Sequence, residues 1–436
     1  MNSVAGYSNL LTTTYRFVRD SERLVAEAAT KFGGSFRLNT LFGDMLVVSA
    51  PEDIKVLYTA SSRSYEPLFN EVLEPLVGQN SLFMQNGDFH KERRGGLSSL
   101  LRYQEISSHA KSIEEVAVRE VAKIPVGERF DMQQVMRSVV IEVMVRFVFG
   151  EMNPARVARY VALGTALEES GTPAIFFLLR LRPYLFGMGP WRRFERIRKE
   201  MDGLVYEDIM SRRNSPGAHD DFLSKLIHAP CHGVKDMSDD ELRDQIMTII
   251  LAGYGTTALS LAWAFFWLHH TPEALEQLRE EVRGGEAPLS ADSLHTSPYL
   301  EAVTKETLRI SPVVNLAPIR LLDPMTLQGR TLPARAVVAV SIWMAHHRAE
   351  TFADPERFRP ERFLEKRYSP FEYLPFGGGR RRGIGAGFAD FEMKQILGRL
   401  IERFDFELLR NTVPEPVNRH LFVSPDGGVP MALEKK

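Results

Sequence analysis

The amino-acid sequence predicts a mainly α-helical single domain with small β-sheet regions, spanning residues 1–436. Helical periodicity prevails from about residue 104 to residue 310. Inside that stretch, Gln245–Leu268 carries no charged residue and is dominated by Ile, Leu, Ala, Phe, Trp and Met. A helix apolar on every side belongs at the centre of a large core. After Pro312 the texture changes to frequent Pro and Gly with short strand-like runs such as Arg335–Val340. Length alone would admit about two or three domains at ~150 residues each. No repeat, low-complexity run or linker divides the chain, so one domain is predicted.

Residues 20–31 read as an amphipathic helix stopped by Gly33-Gly34. Ser35–Leu38 and Met45–Val48, separated by Phe42-Gly43-Asp44, read as a β-hairpin. Pro51-Glu52-Asp53 opens another helix, with Pro in its first turn and acids at the positive end of its dipole. Ser238 followed three residues later by Glu241 is a capping box ahead of the uncharged segment. That segment is long enough to cross a bilayer. Thr248, Gly253, Tyr254, Gly255, Thr256, Thr257 and Ser260 interrupt it, and its flanks lack a Lys/Arg asymmetry. A buried helix is therefore expected, with no membrane anchor. A final helix is predicted to begin near Ala386, after Gly377-Gly378-Gly379.

Composition removes several classes of function. Lys and Arg number 54 against 56 Asp and Glu, for a net charge of -2. No basic excess calls for nucleic acid or an anionic membrane surface. Cys231 is the sole cysteine, which excludes an intrachain disulfide and any Cys-rich zinc or iron–sulfur site. Met1–Tyr7 has no basic region ahead of an apolar core, so a secretory signal is not expected and the predicted location is cytoplasmic.

Three short motifs follow one another. Glu306-Thr307-Leu308-Arg309 sets a carboxylate and a guanidinium one helical turn apart, a pair that taken alone decorates a solvated face. Pro360-Glu361-Arg362-Phe363 comes next, after Asp354–Arg359. Then Pro375-Phe376-Gly377-Gly378-Gly379-Arg380-Arg381-Arg382-Gly383-Ile384-Gly385 leads into a helix. This loop lacks the Lys-Ser/Thr of a phosphate-binding loop, and its glycine order is wrong for a dinucleotide fingerprint. Together these segments resemble the cytochrome P-450 superfamily of haem-thiolate monooxygenases, in its soluble bacterial form, from about Glu22 to Pro430. The first twenty residues lack the Pro-rich segment common in related proteins.

The resemblance implies a haem cofactor and assigns residues to it. Glu306, Arg309 and Arg362 match a buried triad that locks a helix against the loop below the haem. His90 and Arg94, Arg320, and Arg381 match positions that bind the haem propionates, a charge-assisted arrangement. Phe376 and Gly377 are the loop's further cofactor contacts. Gln245–Leu268 matches the helix over the distal face, where Thr256 is the implied catalytic residue. Its hydroxyl either supports bound dioxygen or bonds back to the Ala252 carbonyl.

Three positions depart from the family. Gly383 stands where the family has its cysteine ligand, so that position is vacant and no residue of the chain is assigned as a metal ligand. Cys231, in Ala229–Gly233, reads as a bystander. Gly255 stands where the family has an acid next to the threonine, either widening the distal groove or recording drift. Gly95-Gly96 follows Arg94 where the family continues with long side chains. Thiolate ligation favours cleavage of the O–O bond, so conventional oxygen insertion is expected to be absent or very poor.

Substrate contacts are implied around Ser64–Met84, Thr172–Gly187 and Val313–Pro318. The second region holds Ile175–Leu179 and Tyr184–Phe186, suited equally to a lipophilic small molecule or to core packing. An active member would draw on NAD(P)H indirectly through a ferredoxin and its reductase, docking near Arg380–Arg382. The alternative is a non-catalytic, haem-free auxiliary partner of another biosynthetic enzyme.

Overall fold

The computed structural model describes residues 4–61, 63–68, 70–170, 190–228, 237–419 and 422–434. Its organising element is the central helix, Asp239–His270, of 32 residues. The predicted capping box starts it: Ser238 Oγ accepts the Glu241 N–H at 3.2 Å, and Glu241 Oε2 accepts the Ser238 N–H at 2.9 Å. Two of the N–H groups that no helical carbonyl can reach are thereby paired. The helix is apolar and long enough to cross a membrane, yet 72% of its apolar window is buried against the rest of the chain. It packs on Met132–Phe149, Ala386–Arg403, Pro298–Ile310 and Pro190–Asn214.

A sheet of six strands flanks the helices. Across it lie Gly6–Tyr7, Ser35–Thr40, Gly43–Val48, Val337–Ser341, Leu316–Leu321 and Tyr65–Pro67. The predicted hairpin forms, but its ladder reaches Thr40 opposite Gly43, so the turn is Leu41-Phe42 and not Phe42-Gly43-Asp44. The Thr40 hydroxyl closes it, accepting the Phe42 N–H at 3.2 Å and donating to the Gly43 carbonyl at 2.9 Å. The other predicted elements are present as Ser21–Phe32, capped by Asp20, and as Pro51–Thr59 and Ala386–Arg403.

Candidate functional site

The loop Pro375–Gly385 is anchored from beneath by three buried ionic side chains. Arg309 meets Glu306 through two bonds, 2.7 and 2.9 Å, and Arg362 adds a third at 3.0 Å. All three side chains are 0–1% exposed. The helix pair taken alone suggested a solvated face; burial overturns that, because Arg362 arrives from a distant segment to neutralise the carboxylate. The remaining guanidinium protons go to the carbonyls of His346 (3.0 Å), Ala353 (2.8 Å) and Arg357 (3.1 Å). His346 carries the order onward, its Nε2 accepting the Leu374 N–H at 2.9 Å just before the loop. Burial and the Arg309 charge push its pKa well below the ordinary value, so the ring stays neutral and Nε2 keeps a lone pair to accept with.

The loop itself turns through Gly377 at φ +67°, where the Gly377 N–H bonds the Leu374 carbonyl at 2.9 Å. Gly378 lies against the Tyr58 ring: a Cβ there would fall 2.2 Å from a ring carbon. Phe376 is partly buried and packs on the main core.

Beside the loop, Arg94 and Arg381 come close to the His90 ring. His90 and Arg94 lie one turn apart on Gly87–Ser99. Arg381 donates to the Gln85 carbonyl at 2.7 Å and to Asn86 Oδ1, while Arg94 donates to the Arg382 carbonyl. These carbonyl bonds orient the guanidinium groups but leave their charge uncompensated. Burial, then Arg381 and Arg94, lower the His90 pKa to about 4. Burial also lowers both arginines, with Arg382 acting further on Arg94 and Arg94 on Arg381. Among the described residues, no carboxylate pairs with Arg94 or Arg381. Such a cluster fits a ligand that brings two carboxylates, the arrangement of haem propionates. Arg320, by contrast, has a carboxylate partner. It pairs with Glu66 at 3.0 Å, its direct neighbour across the sheet ladder.

The fit fails at the metal. Gly383 is exposed, its N–H held by the Phe376 carbonyl at 2.9 Å. The three atoms nearest to a Cβ built there all belong to Phe376, at 3.6, 3.7 and 3.9 Å. A Cβ would be accommodated at this position in ordinary van der Waals contact. Among the described residues, no group of three or more His, Cys, Asp or Glu side chains could hold a metal ion. Cys231 and Thr172–Gly187 lie outside the described residues.

On the central helix, residues 242–268 are buried except for Ile249, Leu251, Ala252, Gly253 and Thr256. Four of these recur at i, i+3, i+4 and i+7, so the less buried positions share one face of the helix. Thr256 lies on that face, its hydroxyl donating to the Ala252 carbonyl at 2.7 Å. Gly255 faces elsewhere and opens no groove: the Phe422 ring stands 3.0 Å from where its Cβ would be, and Glu168 Oε1 4.0 Å. Glu168 bonds Arg137 at 3.0 Å. Burial, then the Glu168 charge, raise the pKa of the neighbouring Tyr254. Sequence reading missed Glu168, Arg137 and His346, because each matters through a partner far along the chain that no local period reveals.

This helix-rich fold, with a Gly-rich loop locked by a buried Glu-Arg-Arg cluster beside a propionate-like cradle, defines a haem-protein scaffold. A profile of the family described as Cytochrome P450 matches residues 11–430, and the chain belongs to that family. It is 32% identical to cytochrome P450 135B1 of Mycobacterium tuberculosis, over 94% of this chain and 87% of that one. It is 31% identical to cytochrome P450 137 of the same species, over 94% and 85%. Among solved structures, the retinoic acid-bound cyanobacterial CYP120A1 superposes with a TM-score of 0.86 at 24% identity, over 99% of this chain and all of that one.

Proposed function

We propose that the chain holds haem through His90, Arg94 and Arg381 and through apolar burial, beside a hollow that takes a lipophilic small molecule. The carrying observation is the pair of partly buried arginines, Arg94 and Arg381, beside His90, which no acid of the described residues neutralises. Haem, when bound by a thiolate, supplies an iron centre able to activate dioxygen. This chain offers no side chain at Gly383, so conventional oxygen insertion is absent or very poor. Thr256 is a groove residue whose hydroxyl is occupied by its own helix. The retinoic acid named for the structural relative supports a lipophilic guest class. Arg320 is a second-rank propionate contact that must first leave Glu66. The protein works in the cytoplasm, and NAD(P)H-derived electrons arriving through a ferredoxin and reductase matter only to a form with the ligand restored.

The test is an absorbance spectrum of protein made with haem precursor, before and after reduction under carbon monoxide. A haem band without the thiolate-type carbonyl shift is expected, together with recovery of the shift in Gly383→Cys. A thiolate-type band in the unaltered protein would overturn the reading of oxygen chemistry. A folded protein with no haem band would overturn the haem reading.

A further inference from the structure

We propose that a cradle of Arg94, Arg381 and Tyr65 selects its ligand by the carboxylates and not by the metal, so that the chain binds a metal-free porphyrin dicarboxylate at least as firmly as haem. The proposal rests on the haem reading above and names what that site recognises. It grows from a mismatch between the two ends of the ligand. Groups that receive carboxylates are in place, and a side chain for the metal is not.

Tyr65 joins the two arginines from a third segment. Its strand, Tyr65–Pro67, pairs with Leu316–Leu321 and sets Tyr65 opposite Leu321. The residue is 3% exposed, and its hydroxyl has no hydrogen-bond partner among the described residues. A Cβ on Gly379 would lie 3.1 Å from that hydroxyl, which places it at the loop two residues before Arg381. Burial raises the Tyr65 pKa, with Arg381 and then Arg380 acting against the rise. The phenol is therefore a protonated donor lying in the field of the arginines. A buried O–H without an acceptor is costly to leave unmade. No carboxylate of the described residues pairs with Arg94 or Arg381, so an incoming carboxylate satisfies the hydroxyl and the guanidinium groups together.

The metal finds no such welcome. Pro375–Gly385 contains only Pro, Phe, Gly, Arg and Ile, none of which ligates iron. On the central helix, the Thr256 hydroxyl already donates to the Ala252 carbonyl at 2.7 Å. Neither element supplies a bond that would distinguish a ring with iron from a ring without it. Charge points the same way. Ferric iron adds a positive charge to the ring, so the metal-free dicarboxylate is the more anionic of the two. The field of Arg94 and Arg381 favours it. Binding exchanges solvent for the chain's donors, with no covalent bond made or broken and no electron moved.

The experiment titrates the purified, unloaded chain with protoporphyrin, followed by its fluorescence. Ferric haem is titrated by absorbance and by displacement of the fluorescent ring. The dissociation constant of the metal-free ring should be no more than about threefold above that of haem. Protoporphyrin dimethyl ester, which has no ionised carboxylate, should bind at least about tenfold more weakly than the free acid. Tyr65→Phe and Arg94→Gln, checked for folding by circular dichroism, should each weaken both rings by a similar factor. Gly383→Cys should tighten haem alone. Haem held about tenfold or more tighter than the metal-free ring by the unaltered chain overturns the proposal and leaves the haem reading intact. An ester that binds as tightly as the free acid overturns it too, since the carboxylates then select nothing. A folded Tyr65→Phe that binds both rings like the parent removes Tyr65 from the cradle. If the metal-free ring binds and haem does not, the haem reading falls and this proposal stands; if neither binds, both fall.

Discussion

Glu306 shows how one side chain can hold a site it never touches. It accepts from Arg309, from Arg362 and from the Arg359 N–H at 2.8 Å, all inside the core. Glu306→Gln leaves two buried guanidinium groups short of a countercharge, a loss of about 3–5 kcal/mol when a buried pair is broken. Urea unfolding of the variant should show it, and an unchanged midpoint would mean that the carbonyl bonds suffice. Glu22 poses the opposite case, a buried acid that no cation of the described residues pairs with. Burial first, then Asp20 and Glu356, raise its pKa from 4.5 to about 8. The unfolded chain gives up this proton near 4.5 and the folded chain near 8. Its contribution to stability is thus complete below about 4.5 and lost as pH rises through about 8. Melting temperature should fall more between pH 5 and 9 in the parent than in Glu22→Gln; parallel curves would refute the shift.

At the level of elements, legibility follows the range of the interaction. The Ser238–Glu241 box and the Pro51 start were readable because a cap and its partner sit within one turn. The hairpin was found but its turn was misplaced, since the Thr40 hydroxyl that closes it leaves no hydrophobic signature. His90 and Arg94 were readable as a helical pair. The Glu66 that pairs with Arg320, and the Glu168 beside Gly255, were not, because sheet register and helix packing bring them there from distant segments. The central helix tests this reasoning. Ser238→Ala should cost about 1 kcal/mol, as for a lost N-cap. Glu241→Ala should cost more, because Glu241 also pairs with Arg93, whose side chain is 3% exposed. Equal losses in chemical denaturation would mean that the Arg93 pair contributes nothing. Two of the three family departures should also respond differently to repair. Gly383→Cys puts its Cβ in ordinary contact with Phe376 and should leave the unloaded protein within about 0.5 kcal/mol of the parent. Gly255→Glu must displace Phe422 and meets the Glu168 carboxylate, so overpacking alone should cost about 1–3 kcal/mol. A Gly255→Glu protein as stable as the parent would show that Phe422 yields freely.

For the whole molecule, a helical core and a buried triad carry a cluster of cations that only an anion can relieve. A fold with Arg94 and Arg381 close together and partly buried is strained by its own charge until a ligand arrives. Binding to the folded state alone then adds stability by mass action. His90 is the group through which this can be read. Its pKa is lowered from 6.5 to about 4, by burial first and then by Arg381 and Arg94. The unfolded chain takes up this proton near 6.5 and the folded chain only near 4. The stability His90 contributes is therefore present above about 6.5 and lost as pH falls toward 4. Acidification from pH 7.5 to 4.5 should lower the melting temperature of the unloaded parent more than that of His90→Gln. Two carboxylates placed beside His90 would offset the repulsion that lowers its pKa, so in haem-loaded protein that difference should shrink. The four melting curves, with and without haem and with and without His90, isolate the coupling between this ring and the ligand. A difference of the same size in both states would place the carboxylates away from His90 and remove it from the cradle, leaving Arg94 and Arg381 to hold the ligand alone.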